Sequence, residues 1–238
     1  MSMMLELNQT KYRYHQDWFE FSLCVNKGDI VALIGPSGAG KSTLLAMVSG
    51  FCEPESGDIL AAGKSLLPLE PHQRPLAMLF QDHNLFDHLT VQENIALGVR
   101  PSLKMTPEVV QKVTEAASKV GLQDYLHRLP GELSGGQKQR VALARCFVQS
   151  RPIWLLDEPF SALDPLLRKE MLSVVKTLAQ ENEITVIMVT HHLNDAKAIA
   201  HRFAFLSNGK ISETGDINEL DSLHENTELA EFVLAAHH

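Results

Sequence analysis

The 238 residues carry 21 Lys and Arg against 29 Asp and Glu, a formal net charge of −8, and 45% of them are hydrophobic. This composition excludes a disordered, collagen-like or coiled-coil chain, and its acidic balance argues against bulk binding of a phosphate backbone, so no nucleic-acid partner is expected. No apolar run approaches the ~18 residues that span a bilayer, and three widely spaced cysteines, Cys24, Cys52 and Cys146, make no disulfide framework.

The N-terminus lacks a basic-then-apolar leader, so a cytosolic chain with reduced thiols is expected. Residues Phe19–Val25 alternate apolar and polar and read as a half-buried strand. Lys27-Gly28-Asp29 is a turn signal. Ile30–Ile34 is continuously apolar, as in a strand buried on both faces. A glycine-rich loop and a helix from about Lys41 to Ser49 follow. Leu76–Phe80, Ile153–Leu156 and Ile184–Thr190 read as further central strands, each ending in a polar residue: Gln81, Asp157-Glu158 and His191. Between them, from about Glu93 to Val148, the pattern is helical. Thr106, Pro107 and Glu108 form a helix start, and Gly121 is a natural stop. After the turn Asn208-Gly209, a strand-like Lys210–Glu213 leads to a C-terminal helix. Strands alternating with helices predict an α/β fold with a parallel sheet. The whole of 1–238 reads as one domain, with an inserted helical lobe at about 93–148 and no regulatory domain.

Gly35-Pro36-Ser37-Gly38-Ala39-Gly40-Lys41-Ser42, followed by Thr43, matches Gly-x-x-x-x-Gly-Lys-Ser between a predicted strand and a predicted helix. Glycines let successive backbone N–H groups turn inward onto phosphate oxygens, and the helix dipole adds to them. In such a loop Lys41 reaches the β- and γ-phosphates of a nucleotide, and the Ser42 hydroxyl ligates Mg²⁺, which leaves kinases, GTPases, helicases and transporters open. Asp157 and Glu158 end an apolar strand. Strand alternation sends neighbouring side chains different ways, which assigns Asp157 to Mg²⁺ and Glu158 to general base on the attacking water. His191-His192 shows no zinc-ligand spacing.

Leu133-Ser134-Gly135-Gly136-Gln137 narrows the class. The chain resembles the ATP-binding-cassette family from end to end: P-loop at 35–42, Gln81 at a strand end, this signature at 133–137, the acid pair at 157–158, Ser161–Asp164 after it, and His191. The resemblance implies a RecA-like parallel-sheet core, an N-terminal antiparallel β region and a helical subdomain bearing the signature. It also implies a head-to-tail homodimer. Ser134, Gly135, Gly136 and Gln137 then contact the nucleotide held by the partner's P-loop, and Asp164 sits at the seam. Gln81 touches Mg²⁺ and the attacking water, and His191 the γ-phosphate. An aromatic ahead of the first core strand stacks on adenine: Tyr14 is the choice, with Tyr12 and Trp18 as competitors.

The same resemblance implies the separate ATPase subunit of a bacterial importer, peripheral on the cytoplasmic face of the inner membrane. Its partners would be an integral membrane permease and a periplasmic solute-binding protein. The stretch after Gln81 offers Leu85 and Phe86 to the permease. Arg74-Pro75, Met78–Gln81, Asn84–Phe86, His88–Val91, Leu129–Glu132, Arg140–Cys146 and Asp157–Pro165 are similar to the ATPase subunits of thiamine importers of Gram-negative bacteria. Importers for iron, spermidine, sulfate and molybdate share several of these stretches, and a non-transport cassette ATPase is the remaining alternative.

Overall fold

A computed structural model describes residues 2–82 and 84–236; Met1, His83 and the terminal His237-His238 lie outside it. β1 (Met3–Tyr14) and β2 (Asp17–Asn26) form an antiparallel hairpin. Along β2, Phe19, Phe21, Leu23 and Val25 point inward, as their alternation predicts. β3 (Ile30–Ile34) leads into α1 (Lys41–Ser49). β4 (Ser56–Ala61), β5 (Lys64–Ser65) and β6 (Leu76–Leu79) follow. Three helices come next: α2 (Val91–Val99), α3 (Pro107–Lys119) and α4 (Gly135–Phe147). Then β7 (Ile153–Asp157), α5 (Pro165–Glu181), β8 (Thr185–Val189) and α6 (Leu193–Ile199) alternate. The chain ends in β9 (Arg202–Ser207), β10 (Lys210–Asp216) and α7 (Thr227–Ala235).

The ten strands of the described residues join one sheet, in the order β5-β4-β1-β2-β10-β9-β3-β8-β7-β6. From β9 to β6 neighbouring strands run parallel, which is the expected core. The other half is antiparallel apart from one parallel bridge between Lys210 and Glu20, and it begins with the N-terminal hairpin. β9 was not among the expected strands, yet it lies beside β3 in the middle of the sheet.

The central strands are buried on both faces, so each side of the sheet has its own core. Ile30, Ala32 and Ile34 of β3, with Trp154 and Leu156 of β7, face α3, α4 and α5. Val31 and Leu33, with Ile153 and Leu155, face α1 and the N-terminal strands. A parallel strand clad on both sides has no polar face to show. This arrangement puts the carboxyl ends of β3, β6, β7 and β8 along one edge, where open α/β sheets bind ligands. α1 is fixed below that edge by Arg74. Its guanidinium Nη1 donates to the carbonyls of Met47 (2.7 Å) and Val48 (2.8 Å), closing the orphan end of the helix.

Candidate active site

Where β3 ends, the chain reverses through 35–40 into α1. Two glycines are obligatory there. Gly35 has φ +146°, and a Cβ on it would lie 2.2 Å from the Leu206 carbonyl oxygen; Gly40 has φ +103°, and its Cβ would strike the Phe19 ring at 2.6 Å. Lys41 is buried. Its Nζ donates to the carbonyls of Gly35 and Pro36, each at 2.8 Å. Burial lowers the pKa of the ammonium, and the nearby Glu158 and Asp157 carboxylates work against that shift. A phosphate oxygen in the loop offers this ammonium a stronger acceptor than either carbonyl.

The Ser42 hydroxyl donates to Asp157 Oδ2 at 3.2 Å. Burial pushes the Asp157 carboxyl above its usual range, the Ser42 hydrogen bond opposes the rise, and the Glu158 charge adds to it. A hydroxyl beside a buried carboxylate, with the amide of Gln81 across the same cavity, is a set of hard oxygen donors. It suits Mg²⁺, which takes one or two carboxylates with few other protein oxygens and completes its shell with phosphate and water. Among the described residues no group of three or more His, Cys, Asp or Glu forms a self-sufficient metal site.

The two acids diverge, but not by strand alternation. β7 stops at Asp157, and Glu158 adopts φ +47°, a left-handed conformation that costs a non-glycine residue of order 1 kcal/mol or more. Its N–H donates to the Val189 carbonyl of β8 at 3.1 Å. The turn brings the carboxylate to His191, whose Nε2 lies 2.7 Å from Glu158 Oε1.

These groups surround a cavity of about 510 Å³. Of the expected site residues it is lined by Tyr14, Ser37, Gly38, Gly40, Lys41, Ser42, Thr43, Gln81, Glu158 and His191. Gly35, Pro36 and Ala39 belong to the same loop without lining the cavity, and Asp157 is joined to it through Ser42. Tyr14 stands exposed at the rim. Tyr12 is partly buried against the lower core, and Trp18 lies under the Arg13 guanidinium at 5.5 Å and does not line the cavity. Asp17 and Phe19 also line the cavity and were not foreseen; their only signal is closeness to Tyr14 in sequence.

The signature lies elsewhere in the chain. Ser134 caps α4: its Oγ accepts from Gln137 N–H at 3.3 Å, and Gln137 Oε1 accepts from Ser134 N–H at 2.8 Å. A Cβ on Gly136 would lie 3.1 Å from the Ala162 carbonyl, so the helix start rests on the Ser161–Asp164 turn. Asp164 caps α5, its Oδ1 accepting from the N–H groups of Leu166 and Leu167 at 3.1 Å. None of Ser134, Gly135, Gly136, Gln137 and Asp164 lines the P-loop cavity of the same chain. Beyond Gln81, Leu85 is partly buried against the core and Phe86 is half exposed. Asn94, fully buried and not singled out by the sequence, holds this stretch. It accepts from Phe86 N–H and donates to the carbonyls of Phe86, Leu89 and Thr90.

Residues 19–161, more than half of the chain, match the ABC transporter family. The chain is 62% identical over 233 residues to the thiamine import ATP-binding protein ThiQ of Vibrio cholerae, covering 98% of each. It is 50% identical over 217 residues to that of Escherichia coli K12, covering 91% of this chain and 94% of the relative. Among solved structures it is similar to the dimeric ATP-binding cassette MJ0796 bound to ADP and Pi, with TM-score 0.82 and 28% identity over 90% of this chain and 99% of that one. A P-loop sealed by Gly35 and Gly40, an acid pair beside it, a capped Ser-Gly-Gly helix and these likenesses agree: the chain belongs to the ABC transporter family.

Proposed function

We propose that this chain is the ATP-binding and ATP-hydrolysing subunit of an importer that carries thiamine, working as a homodimer on a membrane permease. The observation that carries the reading is the 50–62% identity to thiamine import ATP-binding proteins over nearly the full chain, on top of a cavity that joins P-loop, acid and histidine.

Each copy, one domain with its helical lobe inserted at about 93–148, has a place for one ATP. The N–H groups of 35–40 and the N-terminus of α1 meet the phosphates, Lys41 neutralises the β- and γ-oxygens, and Thr43 adds a contact. Tyr14, exposed at the rim with the His15 ring against its edge, stacks on adenine. Ser42, Asp157 and Gln81 are the residues to hold Mg²⁺, which when bound neutralises charge on the phosphates. Glu158 takes the proton of the attacking water as general base. Its contact with His191 supports this role, because it fixes the carboxylate over the cavity while leaving a second oxygen for water. His191 and Gln81 then orient the γ-phosphate and the water. Ser134, Gly135, Gly136 and Gln137 close on the nucleotide held by the second copy, with Asp164 at the seam. Closure of two copies drives the permease, and hydrolysis reopens them. A periplasmic binding protein delivers the solute, so the cassette lies on the cytoplasmic face of the inner membrane.

Phe86, half exposed beside the Gln81 stretch, is the residue to meet the permease. Phe86→Ser should leave the ATPase of the isolated chain intact and remove its stimulation by the permease; Leu85 is a poorer probe because it packs into the core. The reading as a whole is tested in liposomes containing this chain, its permease and its binding protein. Thiamine should raise phosphate release and accumulate inside, and Lys41→Ala should abolish both. Stimulation by spermidine, iron, sulfate or molybdate but not thiamine would overturn the solute assignment.

A further inference from the structure

α4 carries one polar side chain that is completely buried, Gln139. It lies one turn inside the helix, away from the cavity and facing the segment after β7. Its amide is used at both ends. Nε2 donates to the Glu158 carbonyl at 2.9 Å and approaches Ser161 Oγ at 3.4 Å, while Oε1 accepts from Ala162 N–H at 3.0 Å. The Ser161 hydroxyl also reaches the Glu158 carbonyl, at 3.2 Å.

We propose that Gln139 is a positioning residue for hydrolysis, tying the signature helix to the backbone of Glu158 and of the Ser161–Asp164 turn so that the signature and the acid move as one piece. The inference rests on Glu158 acting as the base. Glu158 holds φ +47°, and a conformation of that kind persists only where its surroundings impose it. The Ser161 N–H and hydroxyl reach the Glu158 carbonyl from within the same turn, at 3.3 and 3.2 Å, and two further bonds tie the residue to neighbouring elements. Val189 of β8 takes the Glu158 N–H, and Gln139 of α4 gives to its carbonyl. The first anchors the acid to the sheet, the second to the helix that begins with Ser134. A shift of α4 on meeting a second copy's nucleotide therefore pulls on the peptide that aims the carboxylate. A neutral amide suits the task, because it donates to the Glu158 carbonyl and accepts from the Ala162 N–H further along the same segment, which neither a carboxylate nor an ammonium does.

The test uses two variants of the full chain. Gln139→Met keeps the volume and loses both bonds. It should lower kcat at least tenfold with the Kd for ATP within twofold of wild type. In a Glu158→Gln background the same change should leave the residual rate unaltered, because a group that acts through another has nothing further to remove. Gln139→Glu keeps an acceptor for Ala162 and turns a lone pair on the Glu158 carbonyl. Its kcat relative to wild type should recover as pH falls and the buried carboxyl gains a proton to donate. This second variant carries the test alone if the first does not fold. Wild-type kcat in either variant, an equal fold-loss from Gln139→Met with and without Glu158, or a flat pH ratio in the Glu variant would overturn the proposal. Normal turnover by Glu158→Gln alone would instead defeat the base assignment on which it rests.

Discussion

Two glycine-rich helix starts, the P-loop before α1 and the signature before α4, look alike in sequence and are built differently. Gly40 caps α1 in a left-handed conformation with no side-chain bond, so the first-turn N–H groups stay free for a ligand, and Lys41 and Ser42 stand among them. Ser134 caps α4 with a reciprocal box that already uses the N–H of Gln137. Gly35 and Gly40 are shut in by Leu206 and Phe19, whereas the nearest atom to a Cβ on Gly135 is 3.9 Å away. One site has its lining within a single chain. The other is exposed, and in the proposed reading it meets the phosphate held by a second copy. Both are glycine-rich helix starts of the kind that suits an anion, but only the first has a cation, a hydroxyl and an acid beside it in the same protomer.

The sharpest separation of the two halves is Glu158→Gln. General-base loss costs roughly 10²–10⁴-fold in rate. Hydrolysis should therefore stop while ATP binding persists, and dimers should accumulate in ATP, as read by phosphate release and light scattering. Normal turnover, or ATP-loaded chains that stay monomeric, would break the comparison.

Next in size is Gly136→Asp. It sets a carboxylate at the helix start, beside the Ser161–Asp164 turn, where its charge opposes that of an incoming triphosphate. ATP affinity of the isolated chain should stay within about twofold, because its own P-loop is untouched, and ATPase should fall by about tenfold or more. Gly136→Ala controls for crowding against the Ala162 carbonyl at 3.1 Å. A loss of affinity in the isolated chain would mean that the signature serves its own nucleotide.

Within the complete half, Tyr14→Ala should raise the KM for ATP by the worth of one stacked base, about 1–3 kcal/mol, and Trp18→Ala should leave it unchanged. Reversed effects would move the adenine to Trp18.

Much of this was legible in the sequence because the chemistry is written in short, contiguous runs. The loop 35–42 and the signature 133–137 each fold locally into a helix start, and Ile30–Ile34 and Ile153–Leu156 announce strands with no polar face. β9 was missed although Arg202–Ser207 abuts the Asn208-Gly209 turn. Its apolar run is short, and pairing with β3 and β10 is what distinguishes it from a helix end. Glu158 was assigned for a reason that the backbone does not supply: the left-handed turn, not the strand pleat, parts it from Asp157. Gln139 and Asn94 were invisible because their role lies in bonds to distant backbone groups, which no local pattern encodes.

The smallest effect concerns what the complete half costs the fold. Asp157 is 7% exposed, and burial raises its pKa, so its ionised form is disfavoured in the folded chain. A raised carboxyl pKa means that the folded state binds more protons than the unfolded one between the two values, so stability falls as pH climbs through that window. At neutral pH the carboxylate is thus held against the preference of its surroundings, with the Ser42 hydroxyl and the nearby Lys41 as partial compensation. Asp157→Asn removes the charge, keeps the shape and keeps an acceptor for Ser42. The nucleotide-free chain should melt higher, by about 2–4 °C if 1 kcal/mol is recovered, and its stability should decline less between acid and neutral pH. The same variant should lose Mg²⁺-dependent hydrolysis, the exchange of stability for activity expected of a buried functional acid. A lower melting temperature would mean that Asp157 supports the fold through Ser42 and Lys41 more than its burial strains it.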